Sequence, residues 1–310
     1  MRVKFGKLPF GVFYSMRPFQ WVKNLAVFAA VIFNGKLFDQ QLLLRSFWAF
    51  IAFCLFSSAS YLINDIVDAP YDRRHPLKKN RPIARGDVSP SEAKIAAVIL
   101  LILGIEIASF LDWRFVALLL LFFLLHLLYS FYLKKFAVID ILAISFSFIL
   151  RALAGEVATG YHLSVWLTFT VVFLSLFIAS GKRRSELLVE GAKTRPALVK
   201  YQKGLLNFYT SVFAVATLLS YSLFSYFFQA PNFGHSRTRE FLIKNMPHLI
   251  GRKWLMLSIF PVIFGIMRFS QLVFERQEGE KPESLLITDI PLSLSVLSWG
   301  LMIVLFVYVF

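Results

Sequence analysis

Residues 61–86 read YLINDIVDAPYDRRHPLKKNRPIARG and follow directly on the apolar run LRSFWAFIAFCLFSSAS at residues 44–60. An apolar run of about 20 residues is sufficient for a helix to cross a lipid bilayer. The polar segment that follows it carries three Asp and six Lys or Arg. Together they indicate a membrane-spanning helix whose end carries an unusual concentration of charge.

The composition of the whole chain agrees with a membrane protein. Of its 310 residues, 58% are hydrophobic and only 16% are charged, and the mean hydropathy is +0.67. A soluble domain has about 45–50% apolar and about 25% charged residues. The composition therefore predicts an integral membrane protein in contact with membrane lipids.

The charge, the cysteine count and the N-terminal sequence argue against several other features. The net charge of +15 is typical of basic cytoplasmic loops in a membrane protein, so we expect no nucleic-acid partner. Cys54 is the only cysteine, which excludes an intramolecular disulfide framework and a cysteine-ligated zinc site. The basic N-terminus lacks the pattern of a cleavable signal peptide.

Nine apolar stretches are long enough to be membrane spans, and no soluble domain fits between them. We therefore predict an all-α bundle of about nine transmembrane helices that forms a single membrane domain over residues 1–310. The predicted spans are residues 20–38, 45–67, 92–111, 114–132, 137–158, 163–181, 205–228, 254–274 and 286–309.

Loop charge predicts the orientation in a cytoplasmic (inner) membrane. Most Lys and Arg lie in the N-terminal tail and in the loops after the even-numbered spans, which places these segments in the cytoplasm. The loop at 229–253 is also basic although it falls on the opposite side. We interpret it as an interfacial helix on anionic lipid.

The polar segment contains a spacing that suits a metal ion. Asn64, Asp68 and Asp72 are four residues apart, so on a helix their oxygen atoms lie along one face. Mg²⁺ is typically held by one or two carboxylates together with water and phosphate oxygens. Pro70 interrupts the helix and makes the alignment of Asp72 less certain. The alternative is that these carboxylates are solvated, or pair with the Arg and Lys that follow.

Three further polar clusters fall at the same membrane face, at residues 17–24, 129–156 and 180–188. Asp140 and Arg151 lie on one face of the fifth span but are too far apart to touch, at about 16 Å, so each needs another partner. We predict one polar cavity among the first, second, fifth and sixth spans. The candidate substrate-binding residues are Arg17, Lys23, Asn24, Arg74, Lys78, Arg81, Tyr129, Lys134, Arg151, Lys182 and Arg183.

The motif NDIVDAPYD at residues 64–72 matches N-D-x-x-D-x-x-x-D, and the chain resembles the UbiA superfamily of intramembrane prenyltransferases. It is most similar to the branch of decaprenyl-phosphate phosphoribosyltransferases. That branch has blocks like RPFQWVKN, DRRHPLKKNRPIARG, YSFYLKKFAVIDILAISFSFILRALAG, GKRRSEL and RFSQLVFERQEGEKPESLLITD. A second D-x-x-x-D motif is absent, because Ile144 stands four residues after Asp140 where the motif has its second Asp. The absence of this motif also favours the same branch.

The resemblance implies a reaction in which a 5-phosphoribosyl group passes from phosphoribosyl pyrophosphate to a polyprenyl monophosphate and pyrophosphate is released. It implies Mg²⁺ on Asn64, Asp68 and Asp72. We expect Asp140 to act catalytically, by binding a second Mg²⁺ or by stabilising the ribosyl cation. We expect Lys134, Arg151, Lys182 and Arg183 to hold the two anionic substrates together, in a pathway of cell-wall biosynthesis.

Two alternatives remain open from the sequence. An aromatic or quinone-type prenyltransferase would have the same fold but would take its diphosphate on the lipid. A transporter of an anionic solute would be expected to contain broken helices and inverted repeats, and no convincing internal repeat is present.

Overall fold

The computed structural model describes residues 8–74, 78–189, 201–229, 244–245 and 253–308. All regular elements in these residues are helices, in agreement with the predicted all-α class. The predicted interfacial helix at 229–253 lies almost wholly outside the described residues.

Twelve α-helices are described, together with four short 3₁₀ segments. The 3₁₀ segments are Pro18–Phe28, Lys78–Asn80, Leu133–Lys135 and Trp254–Ser258. The α-helices are α1 (Leu8–Ser15), α2 (Ala29–Phe33), α3 (Gln40–Asp72), α4 (Pro82–Arg85), α5 (Pro90–Ser109), α6 (Trp113–Phe131), α7 (Ile139–Thr159), α8 (Val165–Val189), α9 (Lys203–Phe227), α10 (Ile259–Phe274), α11 (Pro282–Thr288) and α12 (Ile290–Tyr308).

Seven described helices are long and apolar enough to cross a membrane: α3, α6, α7, α8, α9, α12 and the continuous segment Trp254–Phe274. The predicted first span corresponds to the 3₁₀ segment Pro18–Phe28 followed by the short α2. It is therefore not one long α-helix. The predicted third span is α5, which is 20 residues long but carries Glu92, Lys94 and Glu106.

Local sequence signals explain where several helices begin and end. Ser89 and Glu92 form a capping box at the start of α5, which satisfies backbone N–H groups that have no partner within the helix. Asp112 caps α6 by accepting a hydrogen bond from the backbone N–H of Arg114. Pro70 does not break α3, which continues to Asp72. Asp72 therefore stays on the helix with Asn64 and Asp68.

Helix α3 packs at the centre of the bundle, against α5, α6 and α7. Much of its contact is aromatic: Phe53 packs against Phe115 and Phe122, with ring centroids 5.9 and 4.9 Å apart. All three side chains are fully buried. Such well-packed rings fix the rotation of α3 and so determine which of its residues face the polar cavity described below.

Gly155 allows α7 to approach the 3₁₀ segment Pro18–Phe28 closely. A β-carbon at this position would lie only 2.1 Å from the backbone carbonyl oxygen of Val27. Because a backbone atom cannot swing aside as a side chain can, any residue larger than glycine must push the two segments apart.

We expect Gly155→Ala to lower the free energy of unfolding by about 1–3 kcal/mol, since overpacking strains the buried contact. Thermal unfolding of the protein in detergent measures this effect. Gly300→Ala is the matched control: it also lies within a helix, but its added β-carbon would meet nothing within 4 Å. Equal stability of the two variants would contradict the prediction.

Candidate active site

A cavity of about 810 Å³ lies at the polar end of the bundle. Its walls come from Arg17 and the 3₁₀ segment Pro18–Phe28, from helices α3, α6, α7 and α8, from the segments that follow α3 and α6, and from residues 280–283. Twelve of the predicted site residues line it: Arg17, Lys23, Asn64, Asp68, Asp72, Arg74, Lys78, Arg81, Tyr129, Lys134, Arg151 and Lys182. Residues of the predicted first, second, fifth and sixth spans thus line one cavity, with α6 and residues 280–283 as additional walls.

Asp68 lies in the middle of the α3 face that carries Asn64, Asp68 and Asp72, called the metal-type face below. The Nδ2 atom of Asn64, one turn earlier, donates to Asp68 Oδ2 at 3.0 Å. Lys134 Nζ lies 2.6 Å from Asp68 Oδ1. The carboxylate is therefore held between a neighbour on its own helix and a cation that follows α6.

Arg81 joins the two other aspartates of the motif. Its Nη1 atom lies 2.7 Å from Asp72 Oδ2 and 3.2 Å from Asp65 Oδ1. Asp65 also binds Arg17, which adopts a left-handed backbone conformation with φ of 54°. Non-glycine residues rarely adopt this conformation, so the contact with Asp65 holds a strained backbone. Asp65 is buried, and it contacts two cations, Arg17 and Arg81, that line the cavity.

The donor set fits Mg²⁺. Asp68 and Asp72 line the cavity from one helix face, and Asn64 keeps its amide oxygen available because only its nitrogen donates to Asp68. In the described part of the chain, no three His, Cys, Asp or Glu side chains group as a metal site. Mg²⁺ needs only one or two carboxylates when phosphate oxygens and water complete its coordination.

Arg151 is a buried cation on the wall formed by α7. Its Nε atom donates to Asn24 Oδ1 at 2.7 Å, and its Nη1 atom donates to the backbone oxygen of Ser147 at 2.7 Å. Asn24 is fully buried and does not line the cavity. Asn24, which was predicted to touch substrate, thus orients Arg151 instead.

Asp140 and Arg183 also lie outside the cavity lining, which differs from their predicted contact with substrate. They bind each other in the bundle interior, each with about 1% of its side chain exposed. Arg183 additionally binds Glu186 and donates to the Tyr129 hydroxyl at 2.6 Å. The Asp140 carboxylate, which was expected to face the metal or the ribose, forms a salt bridge with the guanidinium of Arg183 instead.

Tyr201 completes this network and was not singled out from the sequence. Its hydroxyl donates to Asp140 Oδ1 at 2.7 Å and accepts from the backbone N–H of Val138 at 2.6 Å. Burial and the hydrogen bond to Asp140 raise the pKa of the Tyr201 hydroxyl. Nothing in the local sequence marks this tyrosine, because its partner is 61 residues away.

Glu283 lines the cavity and, like Tyr201, was not predicted from the sequence as a site residue. It accepts a hydrogen bond from Gln20 Nε2 at 2.6 Å, and Lys23 Nζ lies 3.3 Å from its other oxygen. Burial acts to raise the pKa of the Glu283 carboxyl, but Lys23 and Lys182 outweigh burial and lower it. The only signal for Glu283 in the sequence is the similarity of residues 268–289 to the family, which does not mark an individual side chain.

Cations outnumber carboxylates along the described lining, which holds ten Lys or Arg against five Asp or Glu. Inside a membrane protein such groups are costly unless they are paired or face a polar ligand. A cavity with this balance is suited to a ligand that carries several negative charges, such as a diphosphate.

Comparison with known proteins gives close relatives along almost the entire chain. Residues 25–235 match the model of the UbiA prenyltransferase family. The chain is 36% identical over 307 residues to the decaprenyl-phosphate phosphoribosyltransferase of Corynebacterium glutamicum, with 96% of this chain and 87% of that protein covered. It is 34% identical to the protein of the same name from Mycobacterium tuberculosis, with 93% and 91% covered.

Solved structures share the fold at much lower sequence identity. A UbiA homologue from Archaeoglobus fulgidus bound to GPP and Mg²⁺ superposes with a TM-score of 0.69 at 17% identity, covering 94% of this chain and 96% of that one. The same homologue bound to DMAPP and Mg²⁺ gives a TM-score of 0.67, with 96% of both chains covered. At this identity the likeness shows the helical arrangement alone.

Proposed function

This chain belongs to the UbiA prenyltransferase family, and from that premise we propose that it transfers the 5-phosphoribosyl group of phosphoribosyl pyrophosphate to a polyprenyl, decaprenyl-type monophosphate. Pyrophosphate is the other product. The observation that carries the proposal is the similarity to curated decaprenyl-phosphate phosphoribosyltransferases over more than nine tenths of the chain. The cation-lined cavity supports it, because both substrates are phosphorylated.

Asn64, Asp68 and Asp72 would hold Mg²⁺, which supplies Lewis-acid stabilisation of the pyrophosphate as it leaves. Arg81 and Lys134 contact the carboxylates of Asp72 and Asp68, so they lie where pyrophosphate oxygens approach that face. These cations bind and orient the donor. The solved neighbours with Mg²⁺ and prenyl diphosphates support metal dependence for the family fold.

The bond between the ribose C1 and the pyrophosphate oxygen breaks, and a bond between C1 and an oxygen of the acceptor phosphate forms. The ribose gains oxocarbenium character as this happens, as in glycosyl transfer. The acceptor phosphate is already anionic, so the cavity needs no general base. It must instead hold two anions against their repulsion, which is the role of the cationic side chains that line it.

The polyprenyl chain is expected to remain among apolar helices while only its phosphate reaches the cavity. We propose that the bundle comprises nine spans, counting Pro18–Phe33 and α5 with the seven long apolar helices. We also propose that the cavity opens to the cytoplasm from an inner membrane. The Lys and Arg at the cavity end of the bundle support this orientation.

Membranes containing the protein should transfer label from phosphoribosyl pyrophosphate to added polyprenyl phosphate in a Mg²⁺-dependent manner. Extraction into organic solvent separates the labelled lipid from the soluble donor, and membranes without the protein provide the background. Absence of lipid label, together with prenyl transfer to an aromatic acid, would instead identify an aromatic prenyltransferase. Flux of an anionic solute across vesicles without any product would identify a transporter.

A further inference from the structure

The cations of the cavity differ in how they are paired. Arg17, Arg81 and Lys134 each contact an aspartate of the α3 motif. Arg151 and Lys182 have no carboxylate within salt-bridge distance among the described residues, although both line the cavity. On this side of the cavity, Lys182 has Glu186 one helical turn later on α8, whereas Arg151 on α7 carries a positive charge that no described carboxylate contacts.

Arg151 is held in place with hydrogen-bonding capacity to spare. Asn24 occupies its Nε atom, while the backbone oxygen and the hydroxyl of Ser147 occupy its Nη1 atom at 2.7 and 3.0 Å. Its Nη2 atom makes no hydrogen bond to a described residue, so two N–H donors remain. The rings of Phe122 and Phe148 flank the guanidinium, with centroids 4.7 and 5.3 Å from its central carbon.

This arrangement favours an anion beside Arg151. A buried charge without a partner of opposite sign is strongly unfavourable, and Arg151 is only 2% exposed. Lys23 lies close enough to Arg151 and to Lys182 for repulsion between their positive charges. Lys23 is the only one of these three cations with a described carboxylate in contact, which is Glu283.

The position of Arg151 separates this anion from the metal-type face. Its partner Asn24 contacts Cys54 and Ser57, and Ser57 lies about three helical turns before Asp68 on α3. A ligand that reaches both places must carry negative charge at two ends. The proposed donor does so, because its ribose ring separates a pyrophosphate from a 5-phosphate.

We propose that Arg151, oriented by Asn24 and Ser147, binds the 5-phosphate of the sugar donor and thereby selects a phosphorylated sugar. The inference rests on the proposed phosphoribosyl transfer. Arg151 is enclosed by neighbouring side chains, which suits a terminal phosphate. The acceptor phosphate, in contrast, continues into a long prenyl chain that needs a path to the lipid.

The test removes the phosphate and the guanidinium in turn. Wild-type protein is compared with Arg151→Gln, using phosphoribosyl pyrophosphate and ribose 1-pyrophosphate, which lacks the 5-phosphate. We expect wild-type kcat/KM to favour the phosphorylated donor by about 10- to 100-fold, as for a charge-assisted hydrogen bond. In Arg151→Gln this preference should shrink to about threefold or less, with the KM for polyprenyl phosphate unchanged.

Three results would overturn the inference. An equal loss with both donors would mean that Arg151 has a general structural role, and a raised KM for polyprenyl phosphate alone would assign Arg151 to the acceptor. A wild-type preference of less than about threefold would show that the 5-phosphate is not recognised by charge. Wild-type protein that transfers from neither donor would contradict the proposed function itself, a failure distinct from the other three.

Arg45→Gln is the matched control. Arg45 also crosses between helices, donating to the backbone oxygens of Ala158 and Leu111 at 2.7 and 3.0 Å, but it does not line the cavity. We expect it to keep the wild-type donor preference. If Arg151→Gln fails to accumulate, Asn24→Ala provides the same ratio with a smaller expected reduction, since the cation remains but loses its orientation. An unchanged ratio in Asn24→Ala would contradict the orienting role.

Discussion

Replacing Asp68 with alanine should lower kcat/KM for phosphoribosyl transfer by about 1000-fold. Asp68 lines the cavity on the face that would hold Mg²⁺, and Lewis-acid stabilisation of a leaving phosphate contributes several kcal/mol. The variant also leaves Lys134 without its carboxylate partner. The rate should be measured over a range of Mg²⁺ concentrations, where we expect weakened Mg²⁺ dependence.

Asp87→Ala is the control for this prediction. Asp87 pairs with Arg85 rather than with a cavity residue, so its loss should leave both the rate and the Mg²⁺ dependence near wild type. Both variants are compared at equal amounts of folded protein, judged by gel filtration in detergent. Turnover by Asp68→Ala within about tenfold of wild type, with the same Mg²⁺ requirement, would contradict the metal role.

Replacing Arg183 with methionine should lower the free energy of unfolding by about 3–5 kcal/mol. The substitution leaves the carboxylates of Asp140 and Glu186 in the bundle interior without the guanidinium that both contact. Breaking a buried ion pair by removing one partner costs this much because an uncompensated charge stays behind. Thermal unfolding in detergent measures the loss.

Two comparisons make this prediction specific to the buried charges. Adding Asp140→Asn to Arg183→Met should recover part of the lost stability, because the carboxylate charge of Asp140 that Arg183 neutralises is then removed as well. Arg85→Met should change stability much less, since Arg85 forms a solvent-exposed pair with Asp87. A fully stable Arg183→Met variant would show that these carboxylates do not depend on the guanidinium.

The sequence determined the helical membrane fold and the end of the bundle at which the polar cavity lies. In a bilayer the backbone must satisfy its own hydrogen bonds, so long apolar stretches can only be helices when no strand pattern is present. The four-residue spacing of Asn64, Asp68 and Asp72 fixes a shared face within one helix, and the structure keeps that face on the cavity. Charges at the ends of several spans fixed where the cavity would lie.

The tertiary structure alone decided which charges face the cavity and which neutralise each other. Asp65 follows Asn64 directly but points to Arg17, 48 residues away, because successive helix residues face different neighbours. Asp140 binds Arg183 and Tyr201 instead of the cavity, and Glu283 reaches Lys23 from the far end of the chain. Helix period sets the face a residue shares within its own helix. Only the packed rotation of neighbouring helices sets what that face meets.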